Sequence, residues 1–161
     1  GFRMNALEST LYDLSHLFLS PVLLLILLSL AYAFLSFGAF LWEGLQRRRG
    51  RHRPELLAWQ ARHGGSSDDL ELHILKRLEG LRIVSRTAPM LGLVATMIPM
   101  GPALLALTRS DAQGVGENMV VAFSSVILAL VAASLTYLVL TVRRRWLLQE
   151  LRMFERLQEV H

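Results

Sequence analysis

Residues Ala88–Thr108 read APMLGLVATMIPMGPALLALT, without one Asp, Glu, Lys, Arg or His. A helix rising 1.5 Å per residue needs roughly 20 apolar residues to cross a ~30 Å hydrocarbon core, and this run supplies them. Two further stretches are equally free of Asp, Glu, Lys, Arg and His. They are Leu19–Trp42, LSPVLLLILLSLAYAFLSFGAFLW, and Met119–Val142, MVVAFSSVILALVAASLTYLVLTV. A soluble domain has no physical reason to exclude charge from three such runs. The sequence predicts an all-α integral membrane protein with three transmembrane helices. The first run is too long and lies too far along the chain for a signal-peptide core, and no small-residue cleavage pattern follows it, so it reads as a retained span.

Charge placement orients these spans. Arg47, Arg48, Arg49, Arg51 and Arg53 follow the first, and Arg143, Arg144 and Arg145 follow the third. The segment before the first span holds only Arg3, and residues 109–118 hold only Arg109. Basic residues accumulate on the cytoplasmic side, which predicts an external N-terminus and a cytoplasmic C-terminus. The pI near 10.3 does not call for nucleic acid, because arginines flanking spans anchor topology at anionic lipid head groups. The absence of cysteine removes disulfides, thiolate metal sites and cysteine nucleophiles. His16, His52, His63, His73 and His161 all lie outside the spans and lack metal-binding spacing. No phosphate-binding or dinucleotide motif is present. The reading is of a protein that is not an enzyme and uses no cofactor or metal.

The segments follow. Residues 1–18 carry Leu7, Leu11, Leu14 and Phe18 at helical spacing, fitting a helix at the outer interface or a frayed turn. After the span at 19–42, residues 43–87 form a cytoplasmic linker and helix. There a basic segment with Pro54 gives way at Gly64-Gly65-Ser66-Ser67 to a helix that Ser67 or Asp68 can cap. Its stripe Leu70, Ile74, Leu78, Leu81, Val84 predicts a helix running nearly unbroken into the second span, 88–108. Residues 109–118, rich in Gly, Asp and Asn, read as an external loop closing a hairpin with the third span, 119–142. The cytoplasmic tail 143–161 has its own stripe: Trp146, Leu147, Leu151, Phe154 and Leu157. These two long cytoplasmic extensions can pair with each other and with neighbouring subunits.

Chemistry concentrates in the second and third spans. Pro99 and Pro102 each free a carbonyl one turn earlier, which in lipid must find a partner or a wet cavity. Gly92 and Ala95 thin one side for close helix approach. Thr96 is the span's only hydroxyl before Thr108. The third span offers Ser124 and Ser125, with Ala129 and Ala132 or Ala133 on the face of Ser125. Two readings fit these hydroxyls. They can bond their own i−4 carbonyls and pack helices, or Thr96 and Ser125 together can line a narrow polar path. Alone they cannot relay protons, because intramembrane relays use Asp, Glu or His and the spans have none. A conducting chain must therefore take its carboxylate from a partner.

The run Leu91-Gly92-Leu93-Val94-Ala95-Thr96, the block Ala122-Phe123-Ser124-Ser125-Val126-Ile127-Leu128-Ala129-Leu130, the hairpin and the sidedness together resemble the MotA/TolQ/ExbB proton-channel family. The resemblance covers about residues 80–142, and the first span agrees in topology alone. It implies a homopentamer in a bacterial or archaeal cytoplasmic membrane. The pentamer would enclose about two copies of a single-span partner of the ExbD/TolR/MotB type bearing a membrane Asp, with proton flow coupled to movement. Carried over, Thr96 becomes the pore hydroxyl of the second span, and Ser125 or Ser124 that of the third. Ala95, Pro99 and Ala129 stand where the family commonly has Gly, and Pro99 with Pro102 marks a distinct subfamily. The linker is far shorter than in flagellar stators. The competing readings are a non-conducting membrane scaffold, shaped by the same small residues and prolines, and half of a small-molecule transporter.

Overall fold

A computed structural model of the protein describes residues 2–50, 59–61, 64 and 66–160. The basic residues Arg51 and Arg53, with Pro54, Arg62, Gly65 and the histidines His52, His63 and His161, lie outside the described residues. Four helices follow in order: α1 (Phe2–Leu17), α2 (Leu19–Arg48), α3 (Ser67–Thr108) and α4 (Ala112–Val160). Three stretches are long and apolar enough to cross a membrane, one in each of α2, α3 and α4. The protein is a multi-pass, all-helical membrane protein.

Helix α3 continues from the linker through the second span without a break, although Pro89, Pro99 and Pro102 lie inside it. Its start differs by one residue from the sequence reading. Ser66 is the cap, because the Ser66 amide donates to Asp69 Oδ2 at 3.1 Å, half of a capping box. Helix α4 begins at Ala112, well before the apolar run at Met119, so the loop expected at residues 109–118 shrinks to a tight turn. The Gly114 amide donates to Asp111 Oδ1 at 3.0 Å, the Asp111 amide donates to Ala106 O at 2.9 Å, and Ser110 takes a left-handed φ of 56°. Asp111 thus nucleates the helix. Gln113 Nε2 bonding Glu117 Oε1 and Asn118 Nδ2 bonding Gly114 O extend it through residues of poor helix propensity.

The chain divides into two compact units. In the first, residues 1–32 and 86–133, α3 and α4 run antiparallel, as the pairs Gly92–Ala129, Thr96–Ala122 and Ala106–Gly114 require. Val22, Ile26, Ala95 and Ala129 form its buried core, with Leu23, Leu91 and Leu128 packed around them. The Tyr12 ring lies 3.7 Å from the position a Cβ would take at Gly101, which sets α1 beside the C-terminal half of the second span. Leu7, Leu11 and Leu14 of α1 are exposed, as is Phe18 just after it.

The second unit comprises residues 33–85 and 134–161. Leu70, Ile74, Leu78 and Leu81 of α3 bury against Val139, Leu147, Leu151 and Phe154 of α4. These are the two stripes that the spacing paired. Val84 and Trp146 are half-buried, while Leu75 and Leu157 face outward.

Candidate ion-pathway site

The first unit owes its geometry to missing side-chain bulk. A Cβ at Gly92 would sit 2.8 Å from Ala129 Cβ and 3.6 Å from Val126 Cα, so the α3 and α4 backbones approach closely where glycine faces alanine. Ala122, Ser125, Ala129 and Ala132, spaced by three and four, are all buried on α4. Ala95 of α3 is fully buried too, covered by Val22 and Ile26 of α2. Pro99 is fully buried and Pro102 half-buried.

That close approach sets the hydroxyls. Thr96 Oγ1 donates to Gly92 O at 2.8 Å and lies 3.5 Å from Ala122 O across the interface. Ser125 Oγ donates to Val121 O at 2.6 Å. Thr96 and the Ser124–Ser125 pair therefore stand within one turn of each other at one depth in the hairpin. Their exposures differ. Ser125 is 4% exposed and enclosed by this chain, Thr96 is half-buried, and Ser124 is exposed on α4 together with Val120, Ile127 and Val131. Thr96 and Ser125 each donate to a carbonyl of their own helix, and of the two only the half-buried Thr96 has oxygen lone pairs within reach of a partner. Such a group accepts a hydrogen bond and gives none. Its best partner in a low-dielectric site is a protonated carboxylic acid.

The second unit holds a feature that reading the sequence missed. Arg47 Nη2 donates to Glu150 Oε1 at 2.8 Å and lies 3.6 Å from Glu43 Oε1, and Arg143 Nε is 3.3 Å from Glu43 Oε2. The Arg47 guanidinium also stacks 4.3 Å from the Trp146 ring centroid, and Phe40 stacks on Trp146 at 5.4 Å. Glu150 and Arg143 are only 4% and 8% exposed. Two of the arginines flanking the spans, Arg47 and Arg143, are thus bound to internal carboxylates and are not free to anchor lipid. The i, i+4 spacing of Glu43 and Arg47 was the available signal. Glu150, four residues after Trp146 and four before Phe154, falls on the tail stripe itself, and that spacing was the signal of its burial.

The two apolar spans of the hairpin thus carry hydroxyls, and their sequence holds no Asp, Glu or His. The profile of the MotA/TolQ/ExbB proton channel family matches residues 37–156, and the chain belongs to that family. No curated protein and no solved structure matches it.

Proposed function

We propose that this chain is the pore-forming subunit of a membrane motor driven by proton-motive force, five copies surrounding about two copies of a single-span partner whose membrane Asp carries the proton. The observation that carries this reading is the family match over residues 37–156, which includes two spans without any acid of their own. Thr96 is the hydroxyl of the second span. Exposure favours Ser124 over Ser125 on the third, and Ser125 then serves packing. Because the Thr96 proton is engaged by Gly92 O, Thr96 accepts a hydrogen bond from the neutral partner acid and offers little to the carboxylate. The partner's preferred position then changes with its protonation state, and proton passage becomes relative movement. The chain itself performs no covalent chemistry. The N-terminus lies outside and both helical extensions lie in the cytoplasm of a bacterial or archaeal cell.

The scaffold reading keeps one supporting observation, since the Thr96 and Ser125 hydroxyls are both satisfied within their own helices. Native mass of the complex extracted in neutral detergent separates the two. The motor reading requires a pentamer that retains a single-span protein; a monomer or a dimer without one supports the scaffold.

A further inference from the structure

Beyond the third span the arginines divide into two populations. Arg143 turns inward to Glu43. Arg144, Arg145 and Arg152 are exposed, and among the described residues none of the three pairs with a carboxylate. With Thr141, Leu148 and Gln149 they line a groove of about 360 Å³ on the outside of α4. Thr141, Arg145, Leu148 and Arg152 repeat at four, three and four residues and so share one face. The groove begins at Thr141, the penultimate residue of the apolar run, and continues onto the charged extension, so it straddles the border between hydrocarbon and water.

We propose that this groove seats the phosphate of an anionic phospholipid head group. Three guanidinium groups supply planar, paired donors suited to phosphate oxygens. The Gln149 amide can add another donor. Thr141 cannot, because its Oγ1 already donates to Tyr137 O at 2.8 Å. Leu148, 44% exposed between Arg145 and Arg152, gives the glycerol and first acyl carbons an apolar floor. A soluble anion would gain nothing from Leu148 or from the position at the membrane border. The chemistry therefore points to a lipid, and it does so whether or not the chain conducts.

The test uses the full-length protein in mixed micelles of neutral detergent with phosphatidylglycerol or phosphatidylcholine, counting retained lipids by native mass spectrometry. Each arginine near an anionic surface is worth about five-fold in affinity. Arg145→Gln with Arg152→Gln should therefore weaken phosphatidylglycerol binding about 25-fold while leaving phosphatidylcholine unchanged. The control Lys76→Gln with Arg109→Gln removes the same charge elsewhere and should bind as the wild type does. Circular dichroism should show equal helicity in all three proteins. The proposal is overturned if the wild type holds phosphatidylglycerol no better than phosphatidylcholine, or if the Arg145/Arg152 variant binds it undiminished. Displacement of the lipid by equimolar inorganic phosphate or by a poly-glutamate peptide overturns it too, because the groove would then serve a soluble anion or an acidic protein segment.

Discussion

Thr96 and Gly92 are one device at the residue scale. The absence of a side chain at Gly92 lets α4 approach, and the Gly92 carbonyl holds the Thr96 proton. Thr96→Val keeps the shape and removes the acceptor. We expect it to abolish partner-coupled proton flux while the assembly keeps its native mass; Thr96→Ser should retain flux. Wild-type flux in Thr96→Val would remove Thr96 from the mechanism. Gly92→Ala forces a methyl group to within 2.8 Å of Ala129 Cβ and should cost about 1–3 kcal/mol by overpacking. Thermal unfolding in detergent measures that loss. Ala129→Gly in the same chain should recover most of it, since the two sites share one contact. The sequence pointed to Gly92, Ala95, Thr96 and Ala129 because small and hydroxylated residues are conspicuous among Leu, Val and Met. It could not separate Ser124 from Ser125, as neighbouring positions differ by only 100° on a helix and the burial of one follows from where α3 packs.

Periodicity made the helical elements legible wherever an apolar stripe existed. Leu70, Ile74, Leu78 and Leu81 announced the extension of α3, and Leu147, Leu151 and Phe154 announced its partner on α4. Residues 109–118 misled because turn-prone composition does not locate a turn once a cap is present, and Asp111 starts α4 ahead of the apolar run. Asp111→Ala should destabilise that end of the hairpin by about 1 kcal/mol, seen as faster hydrogen exchange at the Gly114 and Val115 amides. A Cβ at Gly114 would meet the Asp111 carboxylate and lie 3.0 Å from Ala106 Cβ, so a side chain there requires the capping carboxylate to move. The ion cluster joining α2 to α4 was missed because charged residues are read as solvated by default. Removing one member of a buried pair typically costs about 3–5 kcal/mol, whereas replacing both with apolar residues of similar size can be neutral. Glu150→Leu should therefore lower the midpoint of thermal unfolding markedly, and Arg47→Met with Glu150→Leu should restore part of it. A loss in the double variant equal to the sum of the separate Arg47→Met and Glu150→Leu losses would show that Arg47 and Glu150 are not coupled.

For the whole molecule, three spans and their order followed from charge exclusion alone, and the family follows from the match over residues 37–156. The absence of acid from all three spans then constrains what the assembly can do, since hydroxyls with engaged protons solvate a neutral acid but do not titrate. In the proposed motor the proton carrier arrives on another polypeptide. Proton flux into liposomes tests this most directly, comparing this chain alone, the chain with a single-span partner bearing a membrane Asp, and the same complex with that Asp changed to Asn. The account predicts flux only in the intact complex. Equal flux from this chain alone would contradict it.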